Sequence, residues 1–281
     1  MRRLRHGLAF VVLAVLAVGA ALALRHAPTP APVSSAWAVR SPAQRTLVLA
    51  AGAGFTVDEY ATDTTRQQLS VRNEQGAAQV WAYDPGMFDP ESLVRGQPVR
   101  FGGHEAWYAR EPVPTLFWRG AHGSWLAVGG SVPEGALFQL ARSVRLSPPA
   151  PVVGPVGLTW LPPGLSLTYA RIGTGTSSEI LTARGRGSYD VRISSYAVAS
   201  NDWTNGTVGL GAPSMMVAGH LAWYSMDAGD HSQVLLEAGS CGVRVQVSDR
   251  GRVPLAVIEQ LLTRADLGPC DDVDGWPPIL S

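Results

Sequence analysis

The chain writes one hexapeptide twice. Gly103-His104-Glu105-Ala106-Trp107-Tyr108 returns as Gly219-His220-Leu221-Ala222-Trp223-Tyr224, with five of six residues recurring at a spacing of 116. Two copies at so long a period are too few for a solenoid and point to duplication of a larger folding unit. In both copies a small pair, Gly102-Gly103 or Ala218-Gly219, stands between two apolar runs. That is the pattern of a two-residue hairpin, whose positive φ glycine adopts without a Cβ penalty. Ala218 fits such a turn less well, so positive φ is expected there only at the second position.

Strand alternation sends His104, Ala106 and Tyr108 to one face and Glu105 and Trp107 to the other. The second copy replaces Glu105 with Leu221. A position that accepts glutamate is not core, so the His-Ala-Tyr face is expected to be the buried one. Trp107 and Trp223 then point away from their own cores. Either they pack under a loop or between domains, or they line an apolar or aromatic ligand surface, with Tyr108 and Tyr224 beside them. His104 and His220 read as hydrogen-bonded residues at a strand start. A metal site would need further ligands, and His122 and His231 fall in turns that do not correspond.

Around the repeat the rest of the chain falls into order. In the first unit short apolar or alternating runs cover Thr46 to Ala50, Phe55 to Tyr60, Gln68 to Arg72 and Gln79 to Tyr83. A loop from Asp84 to Gly96 follows, with one helical turn at Pro90-Glu91-Ser92-Leu93, then four strands in meander order to Val128. A helix closes the unit. Ser131-Val132-Pro133-Glu134 fits a capping box, and Leu137, Leu140, Ala141 and Val144 form one apolar stripe. The second unit repeats this order, with a loop from Ala199 to Ala212 and a closing helix from Pro254 that carries Ile258, Leu261 and Leu262.

The expected fold class is therefore α+β: tandem duplicated domains, each a mainly antiparallel sheet closed by one C-terminal helix, behind a single N-terminal transmembrane helix. The expected bounds are a basic leader at 1–7, an anchor at 8–24, a proline-rich linker at 25–37 and a first domain at 38–146. A proline-rich hinge at 147–156, a second domain at 157–270 and an acidic tail at 271–281 follow.

Leu8 to Leu24 holds neither charge nor proline, and 17 apolar residues span about 25 Å as a helix, near the lower limit for a bilayer. Arg2, Arg3 and Arg5 ahead of it predict a cytoplasmic N-terminus and an exported body. Ala21-Leu22-Ala23 offers the alternative of a cleaved signal peptide and a secreted product. The alternating prolines of the linker favour an extended spacer.

Charge narrows the partners. All 22 basic residues are arginine, and four of them lie in residues 1–26, which leaves the body at a net −4. A mildly acidic body without a basic cluster argues against nucleic acid, whose binding needs a positive surface. Cys241 and Cys270 are the only cysteines. In an exported protein such a pair is expected to bridge, stapling the last strand to the segment after the last helix.

No motif for catalysis stands out. Gly-x-Ser-x-Gly, Ser-x-x-Lys, His-Glu-x-x-His and a phosphate loop are all missing from the sequence. Asp271-Asp272-Val273-Asp274-Gly275 lacks the distal glutamate of a calcium loop and reads as solvated acid. No catalytic residue, metal or cofactor is expected.

Leu161-Pro162-Pro163-Gly164, Val217-Ala218-Gly219 with Ala222 and Tyr224, Phe117-Trp118-Arg119 and the two closing helices resemble an uncharacterised bacterial extracytoplasmic domain. That domain accompanies membrane-anchored anti-sigma-factor-like and sporulation-associated proteins, and here the resemblance covers two copies. It implies a sensing or protein-binding envelope domain. Only the short basic leader precedes the apolar segment, so a sigma-factor-holding role is not expected to transfer. The expected function is a membrane-tethered, non-catalytic binding or sensing module of the cell envelope. Its partner would be an envelope protein, a lipid or a wall component. A lipid or hydrophobe carrier and an envelope hydrolase with an unrecognised site are the alternatives.

Overall fold

Eighteen short strands and two helices make up the described residues of the computed structural model, which are 41–173, 179–185, 189–199, 210–226, 231–249 and 251–281. The leader, the anchor and the linker expected at 1–37 lie outside them, as does most of the loop from Ala199 to Ala212. Among the described residues no helix is long and apolar enough to cross a membrane.

The first half runs β1 (Gln44–Leu49), β2 (Thr56–Asp63), β3 (Arg66–Asn73), β4 (Gly76–Tyr83), β5 (Gln97–Phe101), β6 (His104–Ala109), β7 (Thr115–Arg119), β8 (Trp125–Gly130), α1 (Glu134–Ser143) and β9 (Val144–Pro151). The second runs β10 (Val156–Leu158), β11 (Leu165–Gly173), β12 (Glu179–Gly185), β13 (Asp190–Ala197), β14 (Met215–Val217), β15 (His220–Met226), β16 (Ser232–Ala238), β17 (Cys241–Val247), α2 (Leu255–Thr263) and β18 (Ala265–Leu267). Among the described residues the protein is mainly β, with one large antiparallel sheet and two α-helices.

That sheet holds fourteen strands in the order β14-β15-β16-β17-β13-β12-β11-β2-β3-β4-β8-β7-β6-β5. Read from the β2–β11 seam outwards, each side gives the same sequence of elements. The seam is an antiparallel ladder from Tyr169↔Asp63 to Gly173↔Glu59, so the two sheets expected from the sequence are continuous. Its ends are the two copies of the repeated hairpin, with β5 and β14 as the edge strands.

Each half is closed the same way. The strand before its meander pairs with the strand after its helix, β1 with β9 and β10 with β18. Ser147 to Pro151, expected to be a hinge, is therefore the end of a strand. Proline is compatible with a two-stranded ribbon because it needs only an extended φ and an unused donor. A bulge interrupts the β1–β9 ladder between Arg45 and Leu47. It leaves the Thr46 and Leu47 amides to the buried Gln67, whose Oε1 accepts both at 2.9 Å and the Tyr60 hydroxyl at 2.8 Å. The Gln67 amide donates to Thr46 Oγ1 (3.0 Å), and Ser147 Oγ donates to the Thr46 carbonyl (3.1 Å). Side chains thus meet the two amides and the Thr46 carbonyl of the bulge, as burial demands.

The helices carry the apolar stripes expected of them. Leu137, Leu140 and Ala141 of α1 are buried, with Val144 as the first residue of β9, and so are Ile258, Leu261 and Leu262 of α2. Burying each leucine stabilises the fold by about 2–3 kcal/mol. The capping box does not form. Pro133 takes the N-cap position, which puts Glu134 first in the helix, and Ser131 Oγ donates to the Ala77 carbonyl instead (3.3 Å).

The acids at Asp271, Asp272 and Asp274 are exposed, but the segment after them is no free tail. Trp276 and Ile279 are buried, and bridges join Val153 to Pro278 and Leu158 to Leu280. Two apolar side chains outweigh the solvation of the acids that precede them. Cys241 and Cys270 form the expected disulfide. It is flanked by Ser240 Oγ, which donates to Asp271 (2.7 Å) and accepts the Cys270 amide (3.1 Å).

Candidate functional site

The repeated hairpin divides its residues between the faces as alternation requires. Ala106 and Tyr108 are buried, Ala222 is buried, and Tyr224 packs half-buried against the same core. His104 is exposed and His220 half-exposed at the first residue of each strand. The Tyr108 hydroxyl donates to Glu134 Oε2 (3.3 Å), tying the hairpin to α1. Burial, reinforced by the Glu134 charge, pushes that hydroxyl's pKa above its ordinary 10.0. Both residues of each turn have positive φ: 56° and 83° at Gly102 and Gly103, and 51° and 84° at Ala218 and Gly219. Ala218 is thus left-handed, against the expectation of positive φ only at Gly219. This is the type I′ turn, which matches the twist of the flanking strands and takes positive φ at both central residues.

Trp107 and Trp223 face the other side of the sheet, and register joins them. Directly opposed residues run Trp107–Phe117–Ala127–Trp81–Gln68–Ala61 across the first half. The row crosses the seam at Ala61↔Arg171 and continues Ile180–Ser194–Arg244–Leu235–Trp223. Opposed residues share a face, so one row links the two tryptophans.

The ends of this row differ. Beside Trp107, the loop after β4 lays Phe88 onto the face, stacked on Trp125 at 4.4 Å and edge-on to Tyr83 at 5.2 Å. Trp107 meets Trp125 at 5.5 Å, and the Arg119 guanidinium lies 5.3 Å from the Trp125 ring centre. Trp107 is half-buried beside Trp125. Phe88 was missed in the sequence, where Asp84 to Gly96 reads as loop. A lone phenylalanine in a polar turn was the only signal. Trp223 is half-buried, and its Nε1 donates to the Gly211 carbonyl (3.0 Å).

At the outermost pair of the same face the contrast is sharper. The first edge opposes Arg100 to Glu105, and the second opposes Met216 to Leu221. Met216 is 66% and Leu221 54% exposed. The first edge strand also carries Pro98, a further guard against edge pairing.

At the seam the face is polar. A hollow of about 300 Å³ is lined by Glu59, Asp63, Arg66, Gln68, Gln79, Tyr169 and Arg171, among others. A second, of about 520 Å³, shares Tyr169 and adds Thr64, Thr168, Thr182, Arg184, Asp190 and Arg192. Ion pairs fix most of the charges: Arg171 Nε to Glu59 at 2.6 Å, Arg66 to Asp63 at 3.4 Å, Arg184 to Asp190 at 2.8 Å. Burial, opposed by Arg171, holds the Tyr169 hydroxyl above its ordinary pKa of 10.0 and keeps it a donor at neutral pH. None of these seam residues stands out in the sequence, because their meeting depends on the β2–β11 pairing. Among the described residues no group of three or more His, Cys, Asp or Glu is placed to hold a metal ion.

No family model and no curated protein matches the chain. Solved structures are distantly similar. The crystal structure of MucB in complex with MucA(peri) is 14% identical over 76% of this chain and 93% of that chain, with a TM-score of 0.25. The Pseudomonas aeruginosa MucA/MucB complex is likewise 14% identical over 76% and 93%, at 0.26. MucB alone is 12% identical over 76% and 92%, at 0.22.

Proposed function

We propose that this chain is a non-catalytic binding module of the cell envelope, tethered by residues 8–24, that takes an apolar surface of a protein partner at the second edge of its sheet. The two halves are read as duplicated copies of one domain, of which only the second has kept an accessible apolar edge. The observation that carries this reading is the Met216–Leu221 pair, exposed where the first copy places Arg100 and Glu105. Two large apolar side chains held in register, with Trp223 next in line on β15, make the kind of apolar centre that protein interfaces use. An uncompensated patch of this kind on an exported surface is a liability unless something covers it. The Cys241–Cys270 bond supports an oxidising, extracytoplasmic compartment.

Photo-crosslinking in intact cells tests the reading. A photoreactive residue at position 221 is expected to trap a discrete membrane or envelope protein, and one at position 105 is not. Leu221→Glu combined with Met216→Arg is expected to abolish a complex recovered with the wild type. Equal labelling from both positions, or none from 221, would reject the second edge as the binding surface.

A further inference from the structure

Away from both edges, the seam holds a second feature with the marks of a ligand site. The row next to the tryptophan row reads Asp63–Tyr169–Thr182–Arg192–Gln246 over five adjoining strands. At about 4.8 Å between neighbouring strands it is about 19 Å long, the reach of a short oligomer. The two hollows lie along it and meet at Tyr169.

The lining is unusual in its balance. It presents donors and acceptors side by side: guanidinium, amide and phenol groups against carboxylates and threonine hydroxyls. Three of the four arginines are already paired with Glu59, Asp63 and Asp190. Those pairs hold the lining in place before anything binds, which lowers the ordering cost of recognition. Arg192 is exposed and in no ion pair among the described residues. The strands of the row are central, so their backbone ladders are filled and offer an extended peptide nothing to pair with. The three carboxylates of the lining call for donors, which the ring hydroxyls of a glycan supply and an acidic peptide lacks once its backbone is left without a ladder. The four arginines leave one positive charge over for a ligand carboxylate. The half-exposed ring of Tyr169 gives an apolar plane at the centre.

We propose that this row binds an acidic polysaccharide, with sugar hydroxyls exchanging hydrogen bonds with the paired charges, one sugar ring against Tyr169 and one carboxylate on Arg192. The site is independent of the second edge. An envelope module with both would hold a glycan strand and a protein at once.

The test uses the full-length chain and calorimetric titration with a polygalacturonate oligomer, its methyl ester and a polyglutamate of equal charge. Polygalacturonate is expected to bind, the methyl ester to bind at least tenfold more weakly, and polyglutamate not to bind. Arg192→Gln, an exposed substitution that leaves the fold intact, is expected to weaken polygalacturonate at least tenfold. Tyr169→Phe is expected to retain ring packing and lose severalfold. Leu221→Glu is expected to leave this binding unchanged, which separates the site from the edge. Absence of polygalacturonate binding, equal affinity for polyglutamate, or wild-type affinity in Arg192→Gln would each overturn the proposal.

Discussion

Trp107 and Trp223 lie on a single cross-strand row on one face of the sheet, with ten strands between them. Their surroundings make them unequal. Trp107 sits against Trp125, on which Phe88 stacks, so Trp107→Ala removes part of a packed cluster and is expected to cost about 3 kcal/mol. Leu221→Ala, at an exposed position, should stay within about 0.5 kcal/mol. Urea unfolding of the two variants checks both. Comparable losses would show that the second edge is as well packed as the first.

The left-handed Ala218 gives the opposite kind of expectation. An L-residue there costs about 1–2 kcal/mol, and glycine removes the penalty while adding some freedom to the unfolded chain. Ala218→Gly should therefore stabilise by roughly 0.5–1 kcal/mol, and Gly103→Ala should destabilise. Midpoints of thermal unfolding report both signs.

Gln67 serves three donors inside the β1 bulge. Gln67→Leu keeps the volume and strands the Thr46 and Leu47 amides without their acceptor, an expected loss of about 3 kcal/mol. Hydrogen exchange should show the Thr46 and Leu47 amides opening first. Unchanged protection there would mean that the bulge finds another acceptor.

Asp63 carries the acid sensitivity of the seam. Burial would raise its pKa, but hydrogen bonds from the Thr65 hydroxyl, the Thr65 amide and the Arg66 amide, with the Arg66 charge, hold it below the ordinary 3.8. Its folded pKa is lower than its unfolded one, so its contribution is present above pH 3.8 and is lost as pH falls through the folded value. Asp63→Asn should be less stable than wild type at pH 6, and the two should converge as the pH falls through the folded value. A constant gap across that range would assign the effect to something other than ionisation.

Removing the Cys241–Cys270 bond, which closes a separation of 29 residues, is expected to cost about 3–4 kcal/mol on chain-entropy grounds. The double serine variant should show this in denaturant unfolding, with the β1–β9 ribbon retaining its exchange protection.

Much of this architecture is legible in local pattern. The faces of the repeated hairpin follow from alternation, the stripes of α1 and α2 from helical spacing, and the disulfide from two cysteines in a chain expected to be exported. What escapes is non-local. The seam needs β2 to find β11, and nothing in either strand names the other. β9 hides in a run of prolines because its role is set by β1, far behind it in sequence. The last residues read as acid by composition, whereas Trp276 and Ile279 decide their course by burial. The same limit hides Tyr169 and Arg192, ordinary residues on separate strands until the sheet aligns them.

The way each half closes on its own first strand bears on how the chain matures. A polypeptide emerging amino end first can complete the β1–β9 ribbon as soon as Pro151 is out. β2, however, keeps an open edge until β11 arrives, and β10 waits for β18 and Leu280. Long-range pairing of this kind folds slowly and leaves unpaired edges exposed in the meantime. The interval between the two closures is a window of vulnerability to proteolysis and mispairing, and a tether at the amino end would restrict encounters between such half-built sheets while it lasts.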